Sequence, residues 1–89
     1  MSSGLTDEVV QDTVAVSLAR AVAVANRRAR ELGIDIGNSL ITITQDGHAE
    51  SSLWRINYGP SEYIGRRGGD LLIEVAAESS SIRRILRGQ

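Results

Sequence analysis

Leu40-Ile-Thr-Ile-Thr-Gln45 (LITITQ) is the stretch on which the fold turns. Ile41 and Ile43 alternate with Thr42 and Thr44, the period of two expected of a β-strand covered on one side. Upstream the period is different. Val10, Val14, Leu18, Ala21, Val22, Ala25 and Ala29 recur at intervals of three and four and make one apolar stripe. The spacing predicts one long helix over residues 7–32, ~39 Å in length at ~1.5 Å per residue. Thr6 or Ser3 is placed to cap it, and Asp7, Glu8 and Asp12 put negative charge where the helix dipole favours it. Arg27, Arg28 and Arg30 crowd the other end, and Gly33 fits the position just past the C-cap. Much of the stripe is alanine, which lets a helix lie close to its neighbour.

Beyond LITITQ the period of two persists. Asp46-Gly47 is a turn signal, extended by His48 to Ser52 into a longer hairpin loop. Leu53 to Tyr58 is a second strand, with Trp54, Ile56 and Tyr58 on one face and Arg55 and Asn57 on the other. Asp70 to Ala76 is a third, and Ile82 to Arg87 a short fourth after the polar turn Glu78-Ser-Ser-Ser81. One helix followed by three or four antiparallel strands is an α+β arrangement in which a curved meander sheet wraps the helix. The expected sheet half of the core is Ile41, Ile43, Trp54, Ile56, Leu71, Ile73, Val75, Ile82 and Leu86. The other face is expected to carry Thr42, Thr44, Arg55, Asn57, Glu74, Arg83 and Arg87, with Leu40, Leu53, Leu72 and Ile85 as a partly apolar patch. No second helix is available to cover that patch, so a protein partner or a copy of the chain is expected there.

The chain has 89 residues, enough for one domain, which we divide into a disordered 1–5, a helix over 6–33 and a sheet over 39–87. The formal charge of −1 argues against a dedicated nucleic-acid binder and against a membrane-surface segment. All the basic residues are arginine, and there is no cysteine to build a disulfide or a thiolate metal site. The N-terminus is polar and acidic with no signal-like apolar core, so the expected location is cytoplasmic, with a trimmed secreted form as the alternative.

Candidates for chemistry are few. Gly65-Arg-Arg-Gly-Gly-Asp70 has the glycines of a phosphate loop, but they lead into a strand and no Gly-Lys-Ser/Thr follows. Gly68 and Gly69 read instead as a positive-φ start or bulge of the third strand. Arg66 and Arg67 then form an exposed fork for an acidic protein partner. Arg83, Arg84 and Arg87 are a second basic group, with alternation setting Arg83 and Arg87 on one face and Arg84 on the other. Glu74 is expected to pair with one arginine across the sheet, at little gain. Trp54 reads as a core anchor, and the single His48 has no second metal ligand near it. The acids show no spacing suited to a general acid and base, so no catalytic residue, cofactor or metal is expected. The candidate partner-binding residues are Arg66, Arg67, Arg55, Arg83, Arg87, Leu53 and Leu72.

Three segments carry a resemblance: Ala21-Val-Ala-Val-Ala25, Leu53-Trp-Arg-Ile-Asn-Tyr58 and Leu71-Leu-Ile-Glu-Val-Ala-Ala-Glu-Ser-Ser-Ser-Ile82. They resemble the PepSY family, with its alanine-rich helix, its "W/Y-x-V" strand and its following valine-rich strand. Trp54-Arg-Ile56, Gly68-Gly-Asp-Leu-Leu-Ile-Glu-Val75 and the closing Gly88-Gln89 are also similar to small immunity proteins of polymorphic toxin systems with the nuclear-transport-factor-like cone fold. Both resemblances imply a cystatin-like helix in a curved sheet and a non-enzymatic binding or inhibitory role. The expected function is a protein-binding module of PepSY-like type. The alternatives are an immunity protein that occludes a cognate toxin, and a small-ligand carrier in the cone of the sheet around Trp54 and Tyr58.

Overall fold

The computed structural model describes residues 4–47, 52–60 and 70–87. Two helices, α1 (Gly4–Gln11) and α2 (Thr13–Glu31), precede a short 3-10 turn (Ile36–Asn38) and four strands. The strands are β1 (Ser39–Asp46), β2 (Leu53–Pro60), β3 (Leu71–Ala76) and β4 (Ile82–Arg87). They form one antiparallel meander in chain order, with α2 laid across β2 and β3. The expected α+β class and strand order are therefore present.

The expected single helix is broken at Asp12. Asp12 leaves the helical region (φ −100°, ψ 108°), and its Oδ1 accepts hydrogen bonds from the Val14 and Ala15 amides at 3.0 Å. Instead of adding dipole charge inside one helix, the carboxylate competes for the backbone and starts a new one. Asp12 is thus the N-cap of α2, and the expected cap Thr6 lies within α1. Helix begins at Gly4, so Gly4 and Leu5 are not part of a disordered leader, while residues 1–3 lie outside the described residues. At the other end Gly33 takes the expected left-handed turn (φ 89°). The Gly33 amide donates to the Arg30 carbonyl and the Ile34 amide to the Ala29 carbonyl, both at 3.0 Å, the paired bonds of a Schellman motif.

Ala21, Ala25 and Ala29 are fully buried against Trp54, Ile56, Tyr58, Leu71, Ile73 and Val75. The alanine ridge brings the helix close to the sheet, and two side-chain hydrogen bonds set its position. The Trp54 indole N–H donates to Ser17 Oγ at 2.9 Å, and the Tyr58 hydroxyl donates to Asn26 Oδ1 at 2.6 Å. Trp54 and Tyr58 are about 13.6 Å apart along an extended strand. Ser17 and Asn26 are about 13.5 Å apart along a helix axis. The two lengths agree, so α2 runs along β2 in the same direction and both tethers close together.

Three core expectations fail because of where the helix lies. Ile43 is 36% exposed, since α2 crosses β2 and β3 and leaves β1 at the margin; Ile41 is half-buried. Val10 and Val14, the first two residues of the stripe, are 65% and 57% exposed: Val10 lies in α1, before the break at Asp12, and Val14 borders an open cleft at the end of the sheet. The third failure is in β4. Val75 lies opposite Ile82 but Glu74 lies opposite Arg84, so β4 has one extra residue here, Arg83, in a β-bulge. The bulge inverts the alternation beyond it. Ile85 faces Ile73 and packs on the core, while Leu86 faces Leu72 on the outer side and is 44% exposed.

Candidate functional site

The face of the sheet turned away from α2 carries the largest assembly of charge among the described residues. Register places Thr44, Arg55, Glu74 and Arg84 side by side across the strands. Arg55 Nε lies 3.0 Å from Glu74 Oε2, and Arg84 Nε lies 3.3 Å from Glu74 Oε1. Arg55 Nη2 also reaches Asp46 Oδ2 at 3.7 Å. A ladder of alternating sign, Asp46, Arg55, Glu74, Arg84, thus crosses the sheet. Glu74 is only 4% exposed although, among the described residues, no second layer covers this face. Both of its carboxylate oxygens are taken by arginines from the two neighbouring strands, which is more than the single surface pair expected of it. Next to the ladder, Asn57 Nδ2 donates to Asp70 Oδ2 at 3.1 Å. Leucines stand around it: Leu53 and Leu72 half-buried, Leu40 51% and Leu86 44% exposed.

A second feature lies at the start of α2. An open cleft of about 450 Å³ separates Val14 and Ser17 of the helix from Gln45, Trp54 and Glu78 at one end of the sheet. Ser17 Oγ accepts from the Trp54 indole and donates to the Ala77 carbonyl at 3.0 Å, so this hydroxyl joins helix, strand and the β3–β4 turn. Tyr58 is away from the cleft. Its hydroxyl is bound by Asn26, and burial, partly offset by Arg30, pushes its pKa up to about 12. Every buried side-chain nitrogen and oxygen among the described residues has a partner. The interior therefore offers a ligand no unsatisfied polar atom there.

The expected site residues divide. Arg55, Leu53 and Leu72 share the outer face, as their alternation requires. Arg83 and Arg87 do not join them there: Arg83 is the bulged residue, and Arg87 stands opposite Leu71, on the helix side of the sheet. Arg84, expected on the other face, takes their place in the ladder. Arg66, Arg67, Gly68 and Gly69 lie outside the described residues, as does His48. Sequence reading missed the roles of Ser17 and Asn26. Both are polar residues on the helix side facing the sheet, and that placement was the available signal. Searches of family models, curated proteins and solved structures each gave no match to the chain. No helix among the described residues is long and apolar enough to cross a membrane.

Proposed function

We propose that the chain is a non-enzymatic protein-binding module, PepSY-like in kind, that works through the outer face of its sheet. The observation that supports this is the burial of Glu74, 4% exposed between Arg55 and Arg84 on a face that no other layer covers among the described residues. Charges already fixed by one another lose little conformational freedom when a partner arrives, which lowers the cost of association. Exposed Leu40 and Leu86 supply apolar area beside them, and arginine is enriched at such interfaces. The ladder holds two acids and two bases, so its charge cancels. It suits a protein surface of mixed sign better than a polyanion. An immunity role would use the same face and differ only in making the partner a toxin.

Leu72→Arg tests the reading, with exposed Arg20→Glu on α2 as the control. Capture by wild type and by Arg20→Glu, with loss by Leu72→Arg, identifies a face-specific partner. Titration of that partner in purified form is expected to show at least about a tenfold loss of affinity for Leu72→Arg, some 1.4 kcal/mol. Equal affinity of the two variants removes this reading.

The cleft favours a second reading, carriage of a small apolar ligand beside Trp54, since its volume lies in the range of ligand sites. A ligand seated there changes the fluorescence of the chain's single tryptophan in a saturable way, and Val14→Asp abolishes the change. A fluorescence signal indifferent to Val14→Asp rejects it.

A further inference from the structure

We propose that the free edge of β1 pairs with β1 of a second copy, antiparallel about a twofold axis, so that the two meanders join into one continuous sheet. The inference concerns an edge and is independent of the outer-face reading.

The meander has two edges, and they are built differently. β4 is six residues long, bulged at Arg83, and half arginine. These are two of the devices by which proteins protect a sheet edge from pairing with another chain. β1 has neither. It is eight residues long, keeps one unbroken register against β2 from Ser39↔Pro60 to Asp46↔Leu53, and bears no charge or proline from Ser39 to Gln45. Among the described residues no strand lies on its outer side, so a row of backbone N–H and C=O groups faces outward. Its side chains match an interface on both faces: Ile43 is 36% exposed on the helix side and Leu40 51% exposed on the other. Isoleucine and threonine are also the residues most suited to a pleated, half-covered surface.

The charge pattern selects the occupant. Two β4 edges would bring arginines against arginines, and like charges directly opposite are destabilising. A β1-to-β4 contact would meet the bulge and repeat head to tail without closing. A β1-to-β1 contact closes on itself. With the axis at Thr42, Ile41 lies opposite the partner's Ile43 and Thr42 opposite the partner's Thr42. Isoleucines then stay together on the helix side. The one charge of the strand, Asp46, falls opposite the partner's Asn38 in the 3-10 turn, whose side-chain amide donates one N–H to Asp35 Oδ2 at 2.7 Å and has a second to offer. Within β1 itself no like charges lie opposite one another.

The test uses the full chain. Wild type is expected to sediment as a dimer at about 100 µM. Thr42→Lys and Thr42→Glu each place like charges across the axis and are expected to be monomers with unchanged far-ultraviolet circular dichroism. Their equimolar mixture is expected to recover the dimer mass. Because the chain has no cysteine, Thr42→Cys alone is expected to give a covalent dimer on mild oxidation, and Leu72→Cys is not. A wild type monomeric at that concentration overturns the proposal. So does a dimer that survives both Thr42 charge variants, or one lost on Leu72→Arg but not on Thr42→Lys, which assigns dimerisation to the outer face. A monomer that instead binds an unrelated extended peptide along β1 also overturns it, and leaves the outer-face reading untouched.

Discussion

Gly33 and Ser80 both have positive φ, at opposite cost. Gly33 has φ 89° and a Cβ placed there meets nothing within 4 Å, so the whole penalty of a side chain is conformational. Gly33→Ala is expected to lower stability by about 1 kcal/mol in urea unfolding. Ser80 already carries that penalty at φ 60° in the β3–β4 turn, where its amide donates to the Ala76 carbonyl at 2.8 Å. Ser80→Gly is expected to raise stability by a few tenths to about 1 kcal/mol, because relief of strain exceeds the added freedom of the unfolded chain. Ser17 is a residue whose loss orphans two others. Ser17→Ala leaves the Trp54 indole N–H and the Ala77 carbonyl without their partner and is expected to cost about 1–3 kcal/mol. The tryptophan emission is expected to shift to the red as the cleft admits water to the indole. A variant as stable as wild type, with unshifted emission, would show that the hydroxyl is dispensable.

At the scale of elements, the break at Asp12 decides how much helix is anchored. α1 makes its main contacts with α2 alone, whereas α2 is capped at both ends and tethered to β2. Asp12→Ala removes the cap and is expected to cost about 1 kcal/mol, while Asp12→Asn, which still accepts from the helix amides, is expected to cost less. Thermal unfolding followed at 222 nm separates the two. Periodicity exposed the helical stretch, though not its break at Asp12, and every strand, and Gly33 and Asp46-Gly47 marked ends, because these signals are local. The bulge at Arg83 left no local mark. Strict alternation from Ile82 gives the wrong face for Arg84, Ile85 and Leu86, since register depends on pairing with β3 and not on β4 by itself. Arg84 was missed as a partner of Glu74 for the same reason.

For the whole molecule, the outer face was legible as a patch and illegible as a network. Alternation put Arg55, Glu74, Leu53 and Leu72 together, but burial of a carboxylate between arginines of both neighbouring strands is a property of three strands at once. Alkaline stability is another such property. Tyr58 holds its proton up to about 12 in the fold against an ordinary 10, because burial disfavours the phenolate. A raised folded pKa means the contribution is intact below pH 10 and is lost as pH rises from 10 towards 12, where only the unfolded chain ionises. The loss is expected to reach about 2 kcal/mol. Tyr58→Phe is expected to be less stable at neutral pH, having lost the bond to Asn26, and to show a flatter decline over that interval. An equally steep decline in the variant would place the alkaline transition elsewhere.

The alanines on α2 recur every four residues, Ala21, Ala25 and Ala29, all with no exposed surface. A ridge with that repeat looks nearly the same to the sheet after the rod slides by four residues, about 6 Å. Grease alone therefore does not choose between neighbouring berths. Ser17 on Trp54 and Asn26 on Tyr58 act as two dowels, and only one berth aligns both. Pulling out the two dowels together, with Ser17→Ala and Asn26→Ala, would leave helix and sheet content in place. The molecule would alternate between berths, visible as exchange broadening of the isoleucine methyl signals beneath the rod.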